Sequence, residues 1–242
     1  MPTTQQATHT LTASRAKILW TFIAVLLLGY ILFILPNLFF GITGINGGLQ
    51  GINLLFMALF QLVTVTGLVY LALRYLGVGM WFIGLTSRNW VKDAMLGVAV
   101  ALLWALVQFT LLIPNTGGAA RADVKMMLDM MDGSFAGMAS FIILGVVGGG
   151  ITEEIFNRGF FINTLRETFR NKAAGTAIAA LLSVLVFSLG HLPSDWIGWL
   201  DILLPTVAYT LLFLYTGRLT ASMVAHSLWN AVAILLAYWL YY

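Results

Sequence analysis

Six residues in the second half of the chain have the types and spacing to act on a bond: Glu153, Glu154, Arg158, His191, His226 and Asn230. Residues four apart on a helix share a face, so Glu154 stacks on Arg158 and Glu153 on Asn157. The arginine occupies one carboxylate and leaves the other free, and a free carboxylate beside a histidine is a general base for water. The plainer reading is a structural ion pair that joins two helices, but the second, adjacent glutamate has no part in such a pair. His226 and Asn230 are also four apart. Both can donate toward one point, which suits a developing oxyanion or, more simply, polar glue between helices. Gly145, Gly148, Gly149 and Gly150 precede the glutamates and permit close helix approach or a local break. They are not a phosphate loop, because no Gly-Lys-Ser/Thr follows. A His-Glu-x-x-His zinc helix and a Gly-x-Ser-x-Gly elbow are both absent. The sequence has no cysteine, which excludes disulfides, thiolate metal sites and a cysteine nucleophile.

The elements that position these residues must lie in lipid. Sixty per cent of the 242 residues are hydrophobic and 9% are charged, against about a quarter charged in a soluble domain. A helix needs about 20 apolar residues to cross the hydrocarbon core, and lipid offers no partner to an unpaired backbone group. The sequence therefore predicts an all-α, polytopic transmembrane bundle of about seven spans, within a range of six to eight. They run from Ile18 to Phe40, Leu49 to Leu76, Ala94 to Ile113, Phe135 to Leu165, Ala173 to Leu192, Gly198 to Thr216 and Thr220 to Tyr241. Gly79 to Trp90, with Trp81, Arg88 and Trp90, is expected in the interface. Arg121 to Asp132 reads as a short amphipathic helix outside the bilayer. The organisation expected is a polar tail (1–17), N-terminal transmembrane helices (18–134) and a core carrying the chemistry (135–242), with the first span a retained signal anchor.

The net charge of +3 reflects topology and not nucleic acid binding, because the basic residues sit at the ends of apolar runs. Arg15 and Lys17 precede the first span and predict a cytoplasmic N-terminus. Alternation then places Arg74, Arg88, Lys92, Arg166, Arg170, Lys172 and Arg218 on the cytoplasmic side. Arg121 and Lys125 fall outside, as do Asp123, Asp195 and Asp201, and the C-terminus is expected outside.

Ionisable groups in a membrane cost several kcal/mol each and are functional by default. With the loops set aside, those in the spans are Glu153, Glu154, Arg158, His191 and His226, with Asn157 and Asn230 as polar company. The turn between the fourth and fifth spans should centre near Lys172. Counting from there, the glutamates and His191 lie equally far back and forward, so an antiparallel pair brings them to one depth. His226 lies only a couple of turns from Arg218, nearer its span end than Glu153. A hairpin of spans four and five that projects into the cytoplasm reconciles the depths.

Three motifs here, Glu153-Glu154-x-x-x-Arg158, Phe187-x-x-x-His191 and His226-x-x-x-Asn230, resemble those of the CPBP family. That family includes the type II CAAX prenyl endopeptidases and the bacteriocin-processing or self-immunity proteins. The resemblance covers roughly residues 135 to 240, and Arg158-Gly159-Phe160 and Leu219 to His226 look like bacterial members. It implies hydrolysis of a peptide bond within a bacterial or archaeal cell membrane, with membrane lipid and a membrane-associated protein or peptide as partners. The substrate implied is a prenylated CAAX-type chain or a peptide precursor. On that model Glu153 and His191 hold and activate water. Glu154 is locked by Arg158 or shares the base role, His226 and Asn230 stabilise the oxyanion, and Phe187 packs the site. A metal-free scheme is favoured. If a divalent metal such as zinc is bound, Glu153, His191 and His226 would be its ligands. The alternatives from other classes are a non-catalytic membrane scaffold or bacteriocin self-immunity protein, and a transporter. The odd span count and the absence of repeats oppose the transporter.

Overall fold

The structure is a computed structural model and describes residues 11–193 and 195–242. The first ten residues of the expected polar tail therefore lie outside the described residues. Seven helices are long and apolar enough to cross a membrane: α1 (Arg15–Thr43), α2 (Asn53–Tyr75), α3 (Trp90–Asn115), α5 (Phe135–Glu167), α6 (Lys172–Gly190), α7 (Trp196–Thr216) and α8 (Leu219–Tyr241). Between the third and fourth of them lies the short helix α4 (Ala122–Met130). Each expected span is present, and among the described residues there is no strand. The protein is an integral membrane protein of the polytopic helical class.

Polar caps set the starts of several helices. Ser14, Ser134, Asn171 and Asp195 each accept a hydrogen bond from the backbone N–H three residues on, which satisfies a donor that the first turn leaves free. At the other ends, Gly44 and Gly217 take left-handed conformations after α1 and α7, where a Cβ would be strained.

Helix α5 is the axis of the bundle and packs against α2, α6 and α8, with its C-terminal end against α1. Helices α3 and α8 lie side by side, and Arg218 donates from Nε and Nη2 to the two carboxylate oxygens of buried Asp93, at 2.6 and 2.7 Å. Phe156 and Phe160 of α5 fill the core beneath α1, where Phe22, Tyr30 and Phe33 meet their cluster edge-on or stacked. The segment expected in the interface contributes more than surface. Its 3-10 turn Met80–Ile83 buries Phe82 and Ile83 in the core, and Gly84 O accepts from Leu219 N.

One departure from the expected α-helices lies at the site itself. From Leu144 to Ile162, α5 is a π-helix, bonded at a spacing of five residues. Such wide turns are rare and gather at functional sites. The wider turn lets carbonyls accept from side chains of neighbouring helices: Val146 O from Ser227 Oγ, Gly145 O from Asn230 Nδ2 and Asn157 O from Ser183 Oγ. The glycines make the approach possible. A Cβ at Gly150 would strike the backbone of Ser227.

Candidate active site

Glu154 is fully buried, and its Oε1 lies 3.0 Å from Arg158 Nη1 and 3.0 Å from His226 Nδ1. The expected Glu154–Arg158 pair is therefore present, and the carboxylate also holds a histidine of α8. This contact brings α5 and α8 to one level at the site. Arg158 is buried as well. Its guanidinium carbon lies 4.4 Å from the Phe187 ring centroid and 5.9 Å from that of Tyr209, so the charge is held between a carboxylate and aromatic faces.

Glu153 is placed differently. It is half-buried and lines a cavity of about 460 Å³ that also reaches His191, His226 and Asn230. Among the described residues its carboxylate has no hydrogen bond or ion pair. Asn157, expected to pair with it, instead donates from Nδ2 to the Glu153 backbone carbonyl at 3.1 Å and accepts from Tyr30 Oη. The amide fixes the helix turn and leaves the carboxylate to the cavity.

His191 caps the C-terminus of α6. Its Nδ1 lies 2.9 Å from Phe187 O. A carbonyl only accepts, so Nδ1 carries the proton and Nε2 keeps its lone pair. The Phe187 and His191 rings sit 4.5 Å apart. The His226 ring is stacked on Tyr209 of α7 at 4.8 Å. With Nδ1 turned to Glu154, its Nε2 faces the opposite way. Nε2 and Asn230 Nδ2 both point to the space beside Gly149: a Cβ built there would lie 3.6 Å from Nε2 and 2.6 Å from Nδ2. The two polar groups of α8 thus converge on one point, and a glycine keeps that point open.

Among the described residues, no three histidine, aspartate or glutamate side chains are gathered so as to hold a metal ion. Glu153, His191 and His226 line one cavity.

Residues 135–232 match the family model described as type II CAAX prenyl endopeptidase Rce1-like. This stretch is similar to Rce1-like domains. No curated protein and no solved structure matches the chain. The Rce1-like stretch carries all three motifs. It does not supply the whole cavity. Asn37 of α1 and Gln61 of α2 line it, as do Met127 and Met130 of α4, and all four precede the matched residues.

Several polar residues of the wall and its supports stand outside the sequence motifs. Asp201, placed outside by the charge count, is buried in α7 and forms an ion pair with buried Arg121. Its Oδ1 accepts from Gln108, whose Oε1 accepts in turn from Trp229, the neighbour of Asn230. This network ties the loop after α3 and α7 to α8 beside Asn230. A signal for these positions exists in the sequence, since Asn37, Gln61, Gln108 and Asp201 are polar residues inside or at the end of apolar runs.

Proposed function

We propose that the protein is an intramembrane endopeptidase that uses glutamate- and histidine-activated water, without a metal, to hydrolyse a peptide bond of a membrane-associated substrate. The observation that carries this reading is the division of labour between the adjacent glutamates. Glu154 is buried with its Oε1 held by Arg158 and His226, whereas Glu153 lines the cavity with His191 and its carboxylate is unpaired among the described residues. In this scheme water sits between Glu153 and His191 Nε2. Glu153 takes one proton as the water oxygen bonds to the scissile carbonyl carbon. The carbonyl oxygen becomes negative beside Gly149, where Asn230 Nδ2 and His226 Nε2 donate to it. Glu154 on Nδ1 balances the charge of the doubly protonated ring. As the tetrahedral species collapses, the C–N bond breaks and the proton held by Glu153 passes to the leaving amine. The products are one carboxylic acid and one amine. Arg158 and Phe187 hold Glu154 and His191 in place.

The substrate class proposed is a prenylated CAAX-type chain or an apolar peptide precursor, which suits a cavity whose walls include Met57, Leu144 and Ile202. The test is cleavage of an internally quenched farnesylated CAAX-type peptide and of an unprenylated apolar peptide by purified protein in nanodiscs. Cleavage should vanish in Glu153→Ala and His191→Ala with expression and melting unchanged. Full cleavage in either variant refutes the assignment.

A further inference from the structure

Two amides from the N-terminal helices line the same cavity as Glu153 and His191. Asn37 and Gln61 line the 460 Å³ space and also a second cavity of about 220 Å³ on the α1 side. Glu153, Phe187 and His191 are common to both cavities as well, so the two cavities meet at these five residues, which are called the neck below. A chain lying at the neck would meet Glu153, His191 and the two amides together.

The hydrogen bonds of the amides fix which atoms they show. Asn37 Nδ2 donates to Phe33 O at 3.0 Å, and Gln61 Nε2 reaches the same carbonyl at 3.4 Å. A carbonyl only accepts, so the nitrogens face Phe33 and the oxygens Oδ1 and Oε1 face away. Among the described residues neither oxygen has a donor. Gln61 Oε1 also lies against α5 on the face of Glu153. A Cβ at Gly148, one π-turn before Glu153, would come within 2.6 Å of it. A tie between α1 and α2 does not explain both residues, because the Asn37 bond runs within its own helix. Polar side chains in apolar spans are costly without a return.

We infer that Asn37 and Gln61 form an acceptor wall that binds backbone N–H groups of an extended peptide in the neck. This rests on the peptidase reading of the site. An extended chain in a low-dielectric cavity brings unpaired N–H and C=O groups, each costly to bury alone. His226 and Asn230 serve a carbonyl. Asn37 Oδ1 and Gln61 Oε1 serve the N–H groups that flank it, and thereby position the scissile bond over Glu153. Both residues precede the Rce1-like stretch, so substrate positioning is divided between the two halves of the chain.

The test measures binding and is independent of turnover. A fluorescent farnesylated CAAX-type peptide is titrated into Glu153→Gln protein in nanodiscs. Depsipeptide versions follow, in which an ester oxygen replaces one backbone N–H at a time around the scissile bond. One ester should weaken binding roughly fivefold, the effect of one net hydrogen bond. In Glu153→Gln protein that also carries Asn37→Leu or Gln61→Leu, that discrimination should disappear while melting stays unchanged. In otherwise wild-type protein, Gln61→Leu should raise KM more than it lowers kcat. Discrimination that survives in both double variants overturns the acceptor wall, as does failure of every peptide to bind. Ester-sensitive binding that Asn37→Leu and Gln61→Leu abolish, in a protein that never cleaves, would uphold the wall and refute the peptidase reading instead.

Discussion

Gly149→Ala separates chemistry from folding at the point where the two donors of α8 meet. The added methyl would begin 2.6 Å from Asn230 Nδ2 and 3.6 Å from His226 Nε2. The first distance forces Asn230 to swing away, which its side chain can do because only its tip is struck. The second is ordinary contact, so His226 stays, but the methyl fills the space an oxyanion needs about 2.7–3.1 Å from its donors. One donor is displaced and the other is blocked. Loss of one such donor typically lowers kcat by about 10²–10³, or roughly 3–4 kcal/mol, so a loss of at least about 100-fold is expected. Folding is nearly neutral. Alanine in a helix interior gains about 0.5–1 kcal/mol over glycine, while the Asn230–Gly145 hydrogen bond forfeits about 1 kcal/mol. The assay pairs steady-state cleavage of the quenched peptide with a thermal melt of the same preparation. Asn230→Ala serves as comparator, and the double variant should be little worse than Gly149→Ala alone, because both remove the same donor. A kcat within threefold of wild type refutes the oxyanion assignment. A melt lowered by more than a few degrees shows that the methyl acts through the backbone.

Gly150→Ala should do the opposite of its neighbour: its Cβ would meet the Ser227 backbone, which cannot swing away, so α5 and α8 separate and the melt should fall by an equivalent of about 1–3 kcal/mol. Glu154→Ala leaves the buried Arg158 guanidinium without its carboxylate, and about 3–5 kcal/mol of stability should be lost, whereas Glu153→Ala should melt as wild type; equal melts for the two would refute the division between the glutamates. Activity should survive exhaustive chelation within twofold and gain nothing from added zinc, as measured by turnover after metal analysis. Outside the spans, burial raises the Asp123 carboxyl, but its hydrogen bonds with Arg121 outweigh burial and hold it below the ordinary aspartate range. Its contribution is therefore complete above about pH 4 and is lost as pH falls through the lower folded value; hydrogen exchange in α4 should rise only in that acid window, and a rise centred near pH 7 would refute the assignment.

The spans were legible because hydrophobic length in lipid admits few alternatives, and each expected span falls within a few residues of a helix. The pairing of Glu154 with Arg158 was legible because spacing of four holds in both α- and π-turns. The π-helix was not. The glycines signalled close approach, which is what Gly150 provides, but no residue there announces a five-residue bonding pattern. Asp201 was legible as a charge inside the span Gly198 to Thr216, but nothing in the sequence pairs it with Arg121, 80 residues away. Tyr209 went unnoticed because aromatic residues are plentiful in this chain, with 8 Tyr, 8 Trp and 16 Phe, and nothing in sequence marks the one stacked on His226. Asn37 and Gln61 carry no charge, so the high cost of burying an ion, which marks the glutamates and histidines, does not single them out.

The wide turn of α5 means that which glutamate is the base is a matter of angle. Successive residues on a helix are rotated by roughly 100° in the α form, and by less where the turn is wider. Rotating α5 by one residue would carry Glu153 toward the place now held by Glu154 and change which carboxylate faces the cavity. Beside the bonds from α8, that rotation is opposed by a pair of pins at Asn157, the Tyr30 hydroxyl from α1 and the Ser183 hydroxyl from α6. Ser183 lines neither cavity, and Tyr30 lines only the smaller one. The two hydroxyls act as a phase lock: they hold the azimuth of a helix on which two identical acids stand side by side, so that Arg158 takes Glu154 and Glu153 is left to the cavity.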